Sequence, residues 1–333
     1  MKTIKHRAPN GAGFRLALFQ SFDETRLVPG RRPVLILPGY GMNSFIFSYH
    51  PGGTSMERYL VDQGFEVWRV DLREQGETEG VGTGRYSLAD LAITDVGVAL
   101  SGALAHTRTG QRQIDVVGCS LGGTLMFLHQ ALVPSNPMAS LVTMGSPVRW
   151  QAVHPLVRVA FRSSTLAGLL PVRGTRRLAG LAVPLLARRS PGLLSIYMNP
   201  ELTDLASIAE MIRTVEDPSR HINRELAAWI TGRDLIVRGV NLTESLGRVT
   251  RPYLCIAANA DGVVPLATAT YAFHHVASTT KKLVVAGDAN AALAHADLFV
   301  SREASTRVFA PLAEWLAAQN TSAADQAATA PTP

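Results

Sequence analysis

Cysteine is nearly absent from this chain: Cys119 and Cys255 are the only two in 333 residues. One stands in a glycine-rich turn and the other in an apolar run that reads as a strand, so a disulfide scaffold is excluded and buried free thiols in a reducing compartment are expected. Two such cysteines also make a poor metal set, and no metal or other cofactor is expected. Aromatic side chains are scarce at 7%, and no nucleic-acid-binding motif accompanies the net charge of +6. The charge therefore favours acidic molecules or surfaces rather than nucleic acid. No run of about 18 uncharged apolar residues occurs, so no transmembrane helix is expected. At the N-terminus the basic stretch Met1 to Arg7 leads into Pro9, Asn10, Gly11 and Gly13, where a secretory signal would need a continuous apolar run. Cytoplasmic residence is the expectation.

What the sequence does hold is apolar side chain, 47% against 17% charged, enough to bury a large core. Phe14 to Phe22 and Val34 to Leu37 read as strands, Met56 to Gln63 as a helix stopped by Gly64, and Phe65 to Val70 as a strand ending at Asp71. A longer helical pattern runs from Ser87 to Thr107, with Ser87 as its cap and Asp90 three residues on. Asp115 to Cys119 is the next strand, Leu121 to Leu132 the helix after it, and Ala139 to Met144 another strand. The alternation stops near Val148 and resumes at the strand Tyr253 to Ala258. A helix from Leu266 to about Ala277, the strand Lys282 to Ala286 and a last helix to about Ala318 follow. This pattern predicts an α/β architecture, a mostly parallel sheet covered on both faces, with the ligand site beyond the carboxyl ends of the strands. Residues 1–147 and 249–319 form the core, 148–248 an inserted helical cap, and 320–333 a tail too polar and small to order itself.

Each candidate group stands at a strand end. The apolar strand before Gly118-Cys119-Ser120-Leu121-Gly122-Gly123 runs straight into a helix, and a serine lifted out at so sharp a turn needs very small residues two before and two after. Gly118 and Gly122 meet that need, and Ser120 is the candidate nucleophile. A serine hydroxyl is weak at neutral pH, so it requires a base, a group to orient the base, and donors for the developing oxyanion. Asp261, in Asn259-Ala260-Asp261-Gly262-Val263-Val264-Pro265, is the candidate acid, and His295, just ahead of the last helix, the candidate base. Asp288 is the rival acid; His50, His274, His275 and Asp71 read as structural or surface residues.

Residues from about 30 to 318, the cap excepted, resemble the α/β-hydrolase superfamily. Gly118-x-Ser120-x-Gly122 is similar to its nucleophile elbow, Asp261-Gly262-x-Val264-Pro265 to its acid loop and His295-x-Asp297-Leu298-Phe299 to its histidine loop, in the chain order Ser, Asp, His. Pro38-Gly39-Tyr40-Gly41, the Tyr59-Leu60-x-x-x-Gly64-Phe65-x-Val67-Trp68 run and the long cap look most like the lipase and polyhydroxyalkanoate-synthase-like branch. The resemblance implies the α/β-hydrolase fold and an oxyanion hole made by the backbone N–H groups of Tyr40 and Leu121. Departures bear on chemistry. The synthases use cysteine where this chain has Ser120, and Cys119 is one position off; many relatives carry His-Gly in place of Pro38-Gly39 and a glycine after the arginine of Arg73-Glu74-Gln75-Gly76.

Between Arg149 and Arg189 the cap has eight arginines and no acidic residue, interleaved with the apolar runs Leu166 to Leu170 and Leu178 to Ala187. The second run is flanked by arginine pairs and is too short to span a bilayer, so it either lies in a membrane interface or packs on the core. The resulting expectation is a cytoplasmic serine hydrolase, open to membrane association, for esters or thioesters with apolar acyl groups. Cap arginines would face an anionic head group or membrane surface. An acyltransferase or polyhydroxyalkanoate-related enzyme of the same fold, and a catalytically idle fold that binds lipid or protein, remain as alternatives.

Overall fold

The computed structural model describes residues 1–80, 85–163 and 173–328. Strands β1 (Lys2–Pro9) and β2 (Phe14–Phe22) form an antiparallel hairpin. They are followed by β3 (Val34–Leu37), β4 (Val67–Asp71), the short β5 (Glu79–Gly80), β6 (Ile114–Cys119) and β7 (Met138–Met144). A separate two-stranded hairpin, β8 (Ile236–Val237) and β9 (Val240–Asn241), precedes β10 (Tyr253–Ala258) and β11 (Lys281–Ala286). The main sheet has the order β1-β2-β4-β3-β6-β7-β10-β11, with β5 on β2. From β4 to β11 every neighbouring pair is parallel, while β2 meets β4 antiparallel.

Alternation along the parallel strands divides the core into two layers. Leu35, Leu37 and Val116 face one cluster, filled from the Leu88–His106 and Leu121–Leu132 helices by Leu88, Ala99, Leu125 and Leu128. Val34, Ile36 and Val117 face the other, filled from the Met56–Asp62 and Ala310–Ala328 helices by Leu60, Leu312 and Leu316. Parallel strands buried on both sides have to read as continuous apolar runs, and these do.

Three features differ from the sequence reading or extend it. Strand β1 carries no apolar alternation, because it is a basic edge strand whose Lys5 and Arg7 pair with Glu77 and Glu79. The Leu88–His106 helix is long and apolar enough to cross a membrane by length and composition alone, although Asp90 and Asp95 interrupt the run. Half of it is buried inside the protein, and Asp95 holds Arg73 at 2.6 Å and Asn10 at 2.9 Å, as suits a core helix opened by the Ser87–Asp90 capping box. The last helix continues to Ala328, past the expected end of order at Asn320. Asn320 is what ties it down: its side chain accepts from the Arg32 N–H at 2.8 Å and donates to Asp115 at 3.2 Å, and the alanine-rich stretch beyond it favours helix.

The described residues between 148 and 248 are mainly helical and sit over the carboxyl ends of the strands. Leu194, Met198 and Met211 enter one core cluster; Ile222, Leu226, Trp229 and Ile230 enter the other. The apolar run Leu166 to Leu170 lies outside the described residues.

Candidate active site

Ser120 follows directly on β6 with φ 52° and ψ −123°, a left-handed conformation rare for any residue with a side chain. Such backbone strain costs on the order of 1–3 kcal/mol and persists only where surroundings enforce it. Here the crowding is severe: a Cβ on Gly122 would stand 2.4 Å from the Leu37 carbonyl oxygen, and one on Gly118 2.3 Å from Gly123 Cα. The glycines at both positions are thus required by the approach of helix to strand. Cys119 points the other way, fully buried beneath the turn with Sγ 3.9 Å from Met144 Sδ. Burial pushes its thiol well above the ordinary range, so it stays protonated.

His295 reaches Ser120 from the loop after β11, its Nε2 standing 3.0 Å from Ser120 Oγ. Its Nδ1 lies 2.6 Å from Asp261 Oδ2, and the other oxygen of Asp261 accepts from the Val263 and Val264 N–H groups at 2.8 and 2.7 Å. Asp261 is therefore fixed as an acceptor, and both it and His295 are buried. Asp288, the rival acid, instead accepts from the Asn290 N–H and pairs with Arg307 at 2.8 Å on the surface. His274 and His275 are exposed, His50 bonds the Ser301 carbonyl, and Asp71 accepts from the Ser44 and Glu77 N–H groups.

The turn after β3 lies against this row. A Cβ on Gly39 would come within 2.8 Å of Ser120 Cβ, so the Gly39–Tyr40 peptide borders the serine. Leu121 opens the following helix, where the first N–H groups have no intrahelical acceptor. Tyr40 itself is tied to the cap, its hydroxyl donating to Asn223 Oδ1, and burial raises the phenol so that it remains a donor. Beside Tyr40 and Leu121 is a cavity of about 40 Å³, lined by Leu72, Tyr86, Leu91 and Ile222 but also by Glu74 and Glu216. The lining is thus mainly apolar with a few polar groups.

Several contributors have roles with no local signal in the sequence. Glu216 Oε1, in the cap, accepts from Asn43 Nδ2 at 2.5 Å, from the Gly76 N–H at 3.0 Å and from Arg176 at 3.1 Å. One carboxylate so joins the turn after β3, the loop after β4 and the cap. Gln75 reaches the same turn through the Gly39 carbonyl. On the other side, the cap segment near Asn199 is stitched to the acid and histidine loops: Gly262 N–H donates to Ile196 O at 3.0 Å and Ala296 N–H to Tyr197 O at 2.8 Å. Asp297, buried, accepts from the Ala294 and Asn199 N–H groups at 2.7 and 2.9 Å and from Thr203 Oγ1 at 3.0 Å. Desolvation pushes its carboxyl up to about 6. Among the described residues no group of three or more His, Cys, Asp or Glu is placed to hold a metal ion.

The family model described as serine aminopeptidase, S33, matches residues 31–290. The chain belongs to that hydrolase family. Its S33 fold is shared with an esterase from Thermogutta terrifontis, 18% identical over 95% of this chain and 99% of that one with a TM-score of 0.58. A meta-cleavage product hydrolase from Pseudomonas fluorescens IP01 matches at 16% identity over 95% and 97%, TM-score 0.62. An esterase from Exiguobacterium antarcticum matches at 14% over 94% and 100%, TM-score 0.59. Likeness at these identities establishes the α/β-hydrolase fold. No match was found among the curated protein sequences.

Proposed function

We propose that this S33 family member hydrolyses carboxylic esters or thioesters with small apolar acyl groups through an acyl-enzyme on Ser120. The observation that carries the reading is the unbroken row Ser120 Oγ, His295 Nε2 at 3.0 Å, and Asp261 Oδ2 at 2.6 Å from Nδ1. Ser120 Oγ attacks the acyl carbon while His295 Nε2 takes its proton, and Asp261 holds Nδ1–H so that Nε2 is the free base. The carbonyl oxygen, now negative, receives the Tyr40 and Leu121 N–H groups. His295 passes the proton to the departing alcohol or thiol, then draws one from water, whose oxygen attacks the acyl-enzyme and releases the acid and Ser120.

An aminopeptidase, which the family description names, would need a free carboxylate near Ser120 to hold a substrate ammonium. Two of the three acids around the neighbouring cavity are held by several donors, Glu216 by three and Asp217 by the Gly174 and Thr175 N–H groups at 3.0 and 2.7 Å, while Glu74, exposed, accepts one bond from the Tyr86 hydroxyl at 2.5 Å. This favours a neutral, apolar acyl group. The cavity of about 40 Å³ is small, which favours a short acyl chain over a long one. An acyl chain should gain roughly 0.8 kcal/mol per buried methylene until that space is full.

The test combines a fluorophosphonate probe with p-nitrophenyl esters from acetyl to decanoyl, a thioester, and an aminoacyl p-nitroanilide. Labelling lost in Ser120→Ala and kcat/KM rising from acetyl to butyryl, then levelling, is the expected result. Faster turnover of the anilide than of every ester would replace the ester reading with peptidase chemistry, and acyl transfer to added butanol outrunning hydrolysis would make the protein an acyltransferase.

A further inference from the structure

The Thr175–Arg189 helix of the cap has two apolar faces, and only one of them is used inside the protein. Val183, Leu186 and Ala187 pack against the core cluster, and a Cβ on Gly180 would stand 3.1 Å from Ile212, so this side faces inward. Leu178, Leu181 and Leu185 recur at three- and four-residue spacing on the opposite side, with 59%, 76% and 59% of their surface open to solvent. Leu193, just after the helix, is exposed as well. A face of three bare leucines is unlike the scattered single apolar residues normal on a protein surface.

Charge identifies what would cover it. The eight arginines from Arg149 to Arg189 do not behave alike: Arg149 pairs with Asp234 at 2.9 Å, and Arg176 with Glu216 at 3.1 Å, so those two staple the cap rather than rim it. Arg177, Arg188 and Arg189 project from the leucine side of the helix, are exposed, and among the described residues have no carboxylate within ion-pair distance. Helical spacing sets them around Leu178, Leu181 and Leu185. An apolar stripe bordered by unpaired cations matches a bilayer surface, where leucines enter the acyl boundary and arginines meet anionic phosphate head groups.

We infer that the Leu178–Leu181–Leu185 face of this helix, with Arg177, Arg188 and Arg189, docks the protein on anionic lipid surfaces. Docking is separable from the ester chemistry, since none of the six residues contacts Ser120, His295 or Asp261 among the contacts described above.

Flotation with phosphatidylcholine vesicles, with and without about 30% phosphatidylglycerol, tests this on the full chain, without substrate. Wild type should float with the anionic vesicles at low salt, weakly with neutral ones, and less at high salt. Leu178→Gln, Leu181→Gln and Leu185→Gln together should lower binding to both vesicles at least tenfold. Arg177→Gln, Arg188→Gln and Arg189→Gln together should abolish the preference for anionic lipid, each arginine being worth roughly fivefold. Both variants should keep wild-type near-ultraviolet circular dichroism and turnover of a soluble short ester. Arg176→Gln should leave flotation unchanged. Wild type that stays with neither vesicle overturns the inference, as do variants that float like wild type. Self-association in sedimentation, removed by the leucine changes while vesicle binding is absent, would assign the face to a second copy instead.

Discussion

Gln75 Nε2 donates to the carbonyl oxygen of Gly39 at 3.3 Å, and the peptide that carries this carbonyl also carries the Tyr40 N–H. In a trans peptide the two groups point in opposite directions, so a donor fixed on the carbonyl side aims the N–H to the other side. Gln75 is itself held, its Oε1 accepting from the Leu72 N–H at 3.1 Å. It acts on the proposed oxyanion hole one peptide removed, as a positioning residue. Direct loss of an oxyanion donor costs about 10²–10³ in kcat, so Gln75→Ala should cost less, roughly tenfold, with KM unchanged. Gln75→Glu, which sets an anionic acceptor against the Gly39 carbonyl, should cost more. A matched rise in KM in both variants would point to substrate binding, and unchanged kcat would remove the role.

Ser120→Ala should abolish both turnover and probe labelling, whereas Cys119→Ala should leave the rate within a few-fold of wild type. Cys119 is completely buried against Met144, and its loss opens a small void rather than removing a reacting group. The cost should appear in stability, on the order of 1 kcal/mol by chemical denaturation. Activity retained in Ser120→Ala and lost in Cys119→Ala would reverse the assignment.

Asp261→Asn should keep the fold, because its Oδ1 can still accept from the Val263 and Val264 N–H groups. The amide would then face His295 with a donor, favouring the wrong imidazole tautomer and lowering kcat by about 10⁴. Asp288→Asn breaks only a surface pair with Arg307 and should change kcat less than twofold. Comparable losses at the two positions would contradict the geometry.

The legibility of this site in the sequence followed the range of the forces that build it. Ser120 between Gly118 and Gly122 was visible because backbone crowding at a strand-to-helix turn dictates glycine locally. Asp261 was visible because it directly follows an apolar strand, and His295 because it lies on the loop after the last strand in the chain order Ser, Asp, His; loops at the carboxyl ends converge in a parallel sheet. Gln75, Glu216 and Asn223 were not, since polar partners far apart in sequence leave no periodicity; Glu216 lies 173 positions from Asn43, and Asp297, though part of the histidine-loop motif, gave no sign of its tie to Asn199 and Thr203 in the cap. The break in alternation marks 148–248 as a segment apart, but its arginines look equivalent in the sequence. Only the placement of Asp234 and Glu216 separates Arg149 and Arg176 from the rest. Strand β1 was hidden for another reason, its lack of a buried face.

Asp297 couples this architecture to pH. Its carboxyl joins the histidine loop, through the Ala294 N–H, to the cap, through the Asn199 N–H and Thr203 Oγ1, and burial holds it near 6 against 3.8 for the free group. The sign follows from the raised value. Below about pH 4 the folded and unfolded chains both carry the proton; between about 4 and 6 only the folded chain retains it, so rising pH favours unfolding. Above about 6 the loss is complete, on the order of 3 kcal/mol at 1.36 kcal/mol per unit. Asp297→Asn removes the ionisation while its carbonyl oxygen takes over both backbone N–H groups and its amide donates to Thr203. Urea unfolding of wild type and variant should therefore diverge, with Asp297→Asn gaining on wild type as pH rises from 4 to 7 and turnover nearly unchanged. Asp297→Ala, which leaves the Ala294 and Asn199 N–H groups without their acceptor, should lose both stability and kcat by loosening the loop that carries His295. A stability difference between wild type and Asp297→Asn that stays flat over that pH range would mean the carboxyl is not desolvated, and that the joint between cap and histidine loop is open to water.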